Sequence, residues 1–427
     1  MSNTSVSENP KPDRGESFAE LWDTTLHRHR RVERWRAIRF RSGLVAAGTA
    51  LGLAAYVALN AGGSPDTTVL AHSLDRVLSA NADLRSPPAA IADIGPAPGT
   101  GPSADSLRGS AVQERAPTVP VIFDTDMGNS IDDSLALAML HGYQSRGLVE
   151  LLAITINYDN DQVAPYVDAI NTYYGAGDTT IAAVKTGGVT SGHDAFHRQV
   201  AENRDRYPHD LISNDQLDSA VSQLRRRLAS QPDHSVVVVA TGFSTNLAQL
   251  LDSPPDEVAD LDGRALVEAK VRLLAITAGD FLRAKPEHNT AKDPTSARQV
   301  FEQWPTPIVA SEWQVGANLP FPGQSLVETE GGQPNPLLEA MVLNGQNALI
   351  VNFPYDPPSF DLTTVLYAVE PDAGYFTVGQ LGRITLDDQL IARFEPDQAG
   401  WHRLLQRPID PTTRRQITER FVELVSG

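Results

Sequence analysis

Four aspartates within ten residues form the densest group of reactive side chains in the sequence. They are Asp124, Asp126, Asp132 and Asp133, and they come directly after an apolar run that ends at Phe123. Carboxylates packed into a partly dehydrated turn repel one another unless a cation neutralises them, and sites built only from oxygen select a hard ion such as Ca²⁺ or Mg²⁺. A structural explanation accounts for part of the group, because N-caps and helix N-termini also favour acidic residues. We predict a metal site here, at a turn that Gly128 allows to bend tightly.

Apolar runs and amphipathic stretches alternate along the chain around this turn. The sequence predicts strands at 121–123, 151–156, 236–240, 271–277 and 307–310, and helices at 132–146, 163–174, 246–251 and 295–303. This alternation is typical of βα units, so we predict an α/β fold with an open, mostly parallel sheet and helices on both faces. Ligands bind at the carboxyl ends of the strands in such sheets. The functional residues should therefore come just after each apolar run.

Five motifs, in this order, resemble the inosine-uridine preferring nucleoside hydrolase family. They are the Asp-rich turn, the strand end at 154–160, the turn at 242–248, the loop at 287–289 with its Asp-Pro at 293–294, and the helix start at 360–367. One motif alone would be a weak signal, but the ordered set is specific. The resemblance implies a nucleoside hydrolase-like fold. It also implies hydrolysis of the N-glycosidic bond of ribonucleosides, or of a related N-riboside, to ribose and free base.

Carried over position by position, the resemblance implies a Ca²⁺ site, with Mg²⁺ as the alternative ion. Its ligands would be Asp126, Asp133, Asp361 and the backbone carbonyl of Thr241. Asp126 would also accept a proton from the attacking water, because a divalent ion lowers the pKa of water and a carboxylate can complete the deprotonation. The carboxylates would in addition stabilise positive charge on an oxocarbenium-like sugar.

The same resemblance implies four residues that bind the ribose hydroxyls. These are Asp132, Asn160, Glu287 and Asn289. Carboxylates and amides suit this task, since vicinal hydroxyls offer both donors and acceptors at a fixed spacing. The bound partner is therefore expected to be a small-molecule nucleoside or riboside. Association into homo-oligomers stays open.

The sequence departs from the family pattern at three places. The turn between Asp126 and the Asp132-Asp133 pair is longer than in the best-known members, so the roles of that pair stay open. No second family Asn precedes Glu287, and Asp280 is the available substitute. Phe360 stands where many members carry a His that protonates the leaving base.

The residue that protonates the leaving base is left unassigned. The histidines in loop-like stretches are His193, His197, His209 and His288. His288 is slightly favoured because it lies inside the Glu-x-Asn motif. The aromatic residues that could stack on a base are Tyr158, Phe281, Trp313 and Tyr355, although core packing explains each of them equally well.

Two other functions are compatible with parts of the pattern. A haloacid dehalogenase-type phosphohydrolase also begins with an apolar strand and an Asp-x-Asp sequence, but its pattern does not have Gly128 and does not predict the Asp132-Asp133 pair. A non-catalytic, membrane-tethered module that binds nucleosides or sugars through a retained metal site would explain the missing His at position 360. Release of ribose, release of phosphate, or binding without turnover would distinguish the three.

The composition excludes several classes of protein. The 427 residues include 53 acidic and 35 basic side chains, which give a net charge of −18 and argue against binding to nucleic acid. The chain has no cysteine, so it cannot use disulfides, thiolate metal ligands or a cysteine nucleophile.

The first 117 residues differ from the rest in composition. Residues 1–41 contain an Arg cluster, residues 42–62 are uncharged and long enough to cross a membrane, and residues 63–117 are rich in Pro and Gly. We predict a basic cytoplasmic segment, a transmembrane signal-anchor helix and a flexible linker, followed by a catalytic domain at 118–427. The positive-inside rule then places that domain on the extracytoplasmic side of the cell membrane. A cleaved signal peptide with a secreted product and a buried Ala/Gly-rich helix are the alternatives.

Overall fold

The computed structural model describes residues 118–190, 196–328, 333–350 and 352–426. The strands are β1 Val119–Thr125, β2 Val149–Ile156, β3 Ile181–Ala183, β4 Val236–Ala240, β5 Val271–Thr277, β6 Ile308–Ser311, β7 Thr377–Val378, β8 Gly382–Leu386, β9 Ala392–Pro396 and β10 His402–Gln406. The helices are α1 Ile131–Ser145, α2 Val163–Tyr173, α3 Phe196–Glu202, α4 Ala220–Ala229, α5 Thr245–Leu251, α6 Gly263–Lys270, α7 His288–Lys292, α8 Pro294–Gln303, α9 Trp313–Ala317, α10 Gln324–Glu328, α11 Pro336–Asn347, α12 Phe360–Val369 and α13 Pro411–Val425.

These strands form one sheet in the order β3-β2-β1-β4-β5-β6-β10-β8-β9, with β7 paired to β10. The pairs from β3 through to β10 are parallel, and β8 and β9 add an antiparallel edge. The direction of winding reverses between β1 and β4, because β2 and β3 lie on one side of β1 while β4, β5 and β6 follow on the other. A reversal of this kind leaves a crevice at the carboxyl ends of the two strands.

Helices cover both faces of the sheet. Alternate side chains of the central strands, such as Ile122, Val238 and Leu274, pack into a core with α4, α5, α6 and α8. The side chains between them point to the opposite face, because the pleat alternates with a period of two. On that face α12 contacts β4, β5 and β6, and it also packs against α1. Burial on both faces explains why these strands read as continuous apolar runs.

The structure confirms the predicted open, mostly parallel α/β sheet. The runs at 236–240 and 271–277 coincide with β4 and β5, and the predicted helices at 132–146 and 295–303 agree with α1 and α8 to within a residue. The predictions for residues 1–117 lie outside the described residues. Within the described ranges, no helix combines the length and the apolar character needed to cross a membrane.

Candidate active site

A cavity of about 150 Å³ opens at the carboxyl ends of β1, β4 and β5, on the crevice between β1 and β4. Its walls include every predicted site residue except Asn160: Asp126, Asp132, Asp133, Thr241, Glu287, Asn289 and Asp361. The other residues that line it are Asn129, Ser130, Thr277, Ala278, His288, Trp313 and Phe360. Motifs separated by up to about 240 residues of sequence thus meet at one edge of the sheet.

Three carboxylates form the centre of this cavity. Oxygen atoms of Asp132, Asp133 and Asp361 all lie within 4.8 Å of one another, and the three side chains are buried. Asp132 and Asp133 belong to the first turn of α1, and Asp361 belongs to the first turn of α12. Two helix N-termini therefore point their positive ends at the cluster, which stabilises negative charge there. The sequence motif had assigned Asp132 to substrate, whereas the geometry brings it into the same group as the two predicted metal ligands.

The clustered carboxylates have raised pKa values, because the surrounding residues do not offset the cost of burying several negative charges together. Burial, with smaller contributions from the charges of Asp132 and Glu287, raises the pKa of Asp126 to about 7, and a hydrogen bond from Asn129 opposes the rise. Burial and then the neighbouring aspartates raise the pKa of Asp133 and of Asp361 well above the usual range. Each raised pKa marks a site where a cation would relieve both desolvation and repulsion.

The long turn between β1 and α1 supplies hydrogen bonds to these carboxylates. The side-chain amide of Asn129 donates to Oδ2 of Asp126 at 2.7 Å, and the hydroxyl of Ser130 donates to Asp132. Gly128 has a φ of +104°, a backbone conformation that residues other than glycine rarely adopt. Asn129 and Ser130 were not predicted as site residues. The extra length of the turn was the one feature of the sequence that pointed to them.

Thr241 lies directly after β4 and contacts the cluster through two groups. Its hydroxyl donates to Oδ1 of Asp133 at 3.2 Å, and its carbonyl accepts a hydrogen bond from Nδ2 of Asn289 at 2.9 Å. A carbonyl oxygen has two lone pairs, so this bond leaves one available to an ion. Thr241 and Asn289 are therefore held next to each other. The bond between them uses the amide nitrogen of Asn289 and leaves its amide oxygen available to a ligand.

Glu287 forms the cavity wall and the N-cap of α7 at the same time. Its carboxylate accepts backbone N–H bonds from Asn289 at 2.8 Å, Thr290 at 3.1 Å and Gly279 at 3.2 Å. Burial raises the pKa of Glu287, and these backbone bonds lower it. The side chain is thus fixed in one orientation at the cavity, which suits a group that must present an oxygen to a hydroxyl.

Asn160 and Asp280 lie outside the cavity lining. Oδ1 of Asn160 is 3.2 Å from Nε2 of His197 and accepts the backbone N–H of Gln162 at 3.0 Å. Asp280 is fully buried and forms an ion pair with Arg283, whose Nε donates to Oδ2 at 2.6 Å. Asp280 therefore supports the loop after β5, and its carboxylate is already occupied.

An aromatic wall and one histidine complete the cavity. The rings of Trp313 and Phe360 lie 5.9 Å apart, and the guanidinium of Arg283 lies 3.4 Å above the Trp313 ring. His288 is the one candidate histidine in the lining; it is exposed, and its Nε2 lies 3.5 Å from Nδ2 of Asn129. Of the others, His197 contacts Asn160 and His209 contacts the carbonyl of Ala201, while His193 lies outside the described residues.

A crevice at the sheet's reversal point with an all-oxygen acidic cluster defines an enzyme site for a small polar ligand and a cation. The family model described as inosine-uridine preferring nucleoside hydrolase matches residues 121–403. The chain belongs to that family and is an N-glycosyl hydrolase of nucleosides. This confirms the predicted class of enzyme and favours it over a haloacid dehalogenase-type phosphohydrolase. No curated protein matches the sequence significantly.

Solved structures of nucleoside hydrolases share the fold at low sequence identity. A plant nucleoside hydrolase aligns with a TM-score of 0.54 at 18% identity, over 72% of this chain and 99% of that one. The inosine-uridine preferring enzyme from Bacillus anthracis gives 0.53 at 17%, over 71% and 99%. The purine-preferring ribonucleoside hydrolase from Gardnerella vaginalis gives 0.53 at 15%, over 72% and 99%. These alignments confirm the nucleoside hydrolase-like fold.

Proposed function

We propose that this protein is a Ca²⁺-dependent nucleoside hydrolase with a lengthened Asp-rich turn. The observation that carries the proposal is the single cavity in which the buried aspartates meet Glu287 and Asn289. Nothing in a structural role requires so many carboxylates to share one dehydrated space. A cation and a polyhydroxylated substrate together explain both the negative charge and the hydrogen-bonding groups.

The residues fit Ca²⁺ in both number and chemistry. Asp126, Asp133, Asp361 and the carbonyl of Thr241 provide only oxygen atoms, and Asp132 lies close enough to join them. Ca²⁺ accepts six to eight oxygen ligands in flexible geometry, so substrate hydroxyls and water can complete the shell, whereas Mg²⁺ demands a near-ideal octahedron. A bound divalent ion would lower the pKa of the attacking water.

Side chains of the cavity accept the proton, orient the ribose and stabilise the positive charge. Asp126 is placed to accept the proton of the water, because its carboxylate lines the cavity beside the other proposed ligands. Glu287 and Asn289 orient the ribose hydroxyls from the opposite wall. Cleavage develops positive charge on the sugar, and the surrounding carboxylates stabilise it.

We also propose that the catalytic domain is anchored in the cell membrane and faces the extracytoplasmic side. The support is the Arg cluster before residue 42 and the uncharged run at 42–62. A nucleosidase in that position would act on nucleosides outside the cytoplasm.

Ribose release by the purified full-length chain tests the proposed function. Inosine and uridine are incubated with the protein in the presence of Ca²⁺, after exhaustive chelation, and after Ca²⁺ is restored. We expect release that is lost on chelation and recovered with Ca²⁺. Full activity in the chelated protein would contradict the Ca²⁺ requirement, and no release from any nucleoside would overturn the substrate class.

A further inference from the structure

Asp124 is a fully buried carboxylate that lies beneath the cavity and takes no part in its lining. It occupies β1 opposite Thr155 of β2 and Ala240 of β4. Three side chains donate hydrogen bonds to it. Thr155 Oγ1 and Asn246 Nδ2 reach Oδ1 at 2.6 and 2.8 Å, and Asn157 Nδ2 reaches Oδ2 at 2.8 Å.

These bonds connect β1 to the segment 241–246, which carries the Thr241 carbonyl. The backbone N–H of Thr241 donates to the carbonyl of Asp124 at 2.8 Å. Asn157 links Asp124 to the same segment, because its Oδ1 accepts the backbone N–H of Phe243 at 3.0 Å. Asn246 lies in the first turn of α5, at the end of this segment. The side chain of Asp124 is thus linked to this segment once directly and once through Asn157.

Gly242 shows how closely the segment approaches β1. A methyl group built on it would lie 2.5 Å from Oδ1 of Asn157 and 2.8 Å from Cβ of Asp126. Both distances are below any normal carbon contact. The turn can therefore hold its position only while Asn157 and the end of β1 keep theirs.

We propose that Asp124 is a positioning residue that, through Asn157 and Asn246, fixes the 241–246 turn and thereby the Thr241 carbonyl at the cation site. This inference rests on the proposed function to the extent that the carbonyl binds Ca²⁺. Asp124 touches neither the ion nor the substrate in this role. It acts as the common acceptor for donors from two neighbouring elements.

The bonding pattern allows a test by exchange of the two side chains. In Asp124→Asn the new amide group faces the amide group of Asn157 in one orientation and that of Asn246 in the other, so one of these two side chains must reorient. Rotating Asn157 moves the conflict to the N–H of Phe243. In Asn157→Asp two carboxylates face each other. The double variant again pairs a donor with an acceptor in both contacts. The amide at position 124 can donate to the carboxylate at position 157, and that carboxylate can also accept the backbone N–H of Phe243. Its total charge equals that of the unaltered protein.

Ca²⁺ affinity measured by calorimetry on the full chain is the first readout. We expect the dissociation constant to rise at least about tenfold in each single variant, because a buried unpaired polar group is costly, and to return to within about threefold in the double variant. If Asp124 acted only through its charge, Asn157→Asp would lower the dissociation constant for Ca²⁺, because this variant adds negative charge near the site. Tighter binding in that variant, or no recovery in the double variant, overturns the proposal.

Amide hydrogen exchange in the peptide 241–246, measured without Ca²⁺, is the second readout. We expect exchange to quicken about tenfold or more in both single variants and to return in the double variant. Asp168→Asn is the matched control, because Asp168 is a buried aspartate that accepts the backbone N–H groups of Asp210 and Leu211 at 2.8 and 3.0 Å, away from the cavity. It should lower thermal stability without changing Ca²⁺ affinity.

The two readouts separate this inference from the proposed function. If the unaltered protein does not bind Ca²⁺, the proposed cation is wrong, and the exchange measurement still decides the role of Asp124. If the unaltered protein binds Ca²⁺ and exchange in 241–246 is the same in all variants, Asp124 does not position the turn. A single variant that fails to fold leaves the double variant decisive, because it must fold and bind Ca²⁺.

Discussion

Asp126 combines two properties that the proposed site needs. It lines the cavity, and in the absence of an ion burial raises its pKa to about 7, so near neutral pH its proton can give way to a cation. Its hydrogen bond from Asn129 holds the carboxylate in place while leaving one oxygen outside that bond. The same carboxylate is a proposed ion ligand, so removing its charge should affect both roles.

We expect Asp126→Asn to lower kcat for inosine by about 10² to 10⁴-fold and to weaken Ca²⁺ binding, because the amide keeps the shape but loses the charge and the basicity. Steady-state ribose release and calorimetry on the same preparation measure the two effects. Asp388→Asn, at an exposed position, is the matched control and should change neither. Unchanged Ca²⁺ affinity in Asp126→Asn would remove this residue from the proposed ligand set.

Phe360 determines how the departing base can be handled. It lines the cavity at the first position of α12, beside Trp313, and offers no proton. A general acid contributes about 10² to 10⁴-fold, so a site without one should cleave an activated riboside such as p-nitrophenyl riboside far better than inosine or uridine. Phe360→His should then raise turnover of inosine more than turnover of the activated riboside.

Parallel kinetics on the two substrates check this expectation. If the unaltered protein hydrolyses inosine as fast as p-nitrophenyl riboside, another group delivers the proton. His288 is then the first residue to test, because it is the one candidate histidine in the described cavity lining.

At the scale of elements, the close approach of the β1 and β4 turns is the feature that builds the site. Gly242→Ala should therefore displace the Thr241 carbonyl, and a displacement of about 1 Å can cost about 10²-fold in rate. The expected result is a loss of kcat/KM of that order with the fold retained by circular dichroism. Gly177→Ala is the control, since its methyl group would meet only Thr172 Oγ1 at 3.2 Å. Normal kinetics in Gly242→Ala would show that the turn adjusts freely.

The sequence predicted the central strands well because most of their residues are buried. Strand β4 is apolar and buried throughout, and β5 is apolar and buried over most of its length apart from the exposed Arg272, so both appear directly as apolar runs. The C-terminal strands β7 to β10 were not predicted. β10 pairs with β6, almost a hundred residues earlier, and its burial is only partial, so its sequence carries little sign of its partner.

The same distinction applies to the site. Asp126, Asp133, Thr241 and Asp361 follow predicted strands or begin a helix, and all four meet in the cavity. The contact of Asn129 with Asp126, and that of Asn160 with His197, depend on the path of irregular turns. Spacing alone does not specify such paths, because each turn can bend in several ways.

At the scale of the whole chain, we propose that the N-terminal 117 residues determine where the enzyme works. The proposed topology places the domain at 118–427 outside the cytoplasm, joined by a Pro/Gly-rich linker that a protease should cut. Protease added to intact cells should release the domain, and immunoblotting of cells and supernatant measures the release. A cytoplasmic protein in the same cells, which must stay intact, is the control. Protection of the domain until lysis would reverse the topology.

Stability of the folded chain should depend on Ca²⁺ and pH together. A carboxylate whose pKa is raised on folding contributes stability below its unfolded pKa and loses it as the pH rises through its folded pKa, which is about 7 for Asp126. The buried His141 and His402 act in the opposite sense, since burial lowers the pKa of each to about 4. Their effect begins below about pH 7.5, where the unfolded imidazole starts to take up a proton, and each lowers the free energy of unfolding by about 0.4 kcal/mol at pH 6.5.

Between pH 6.5 and 8 the comparison with and without Ca²⁺ isolates the carboxylates, because the two histidines contribute equally under both conditions. Without Ca²⁺, each carboxylate with a folded pKa near 7 should lower the free energy of unfolding by about 1 kcal/mol across this window, which corresponds to a Tm lower by about 2 °C. Ca²⁺ replaces the protons, so the rise in Tm that it causes should be larger at pH 8 than at pH 6.5. Differential scanning calorimetry with Ca²⁺ and with chelator at both pH values measures the difference. A rise in Tm that is the same at both pH values would mean that Ca²⁺ binds without displacing protons from the buried aspartates.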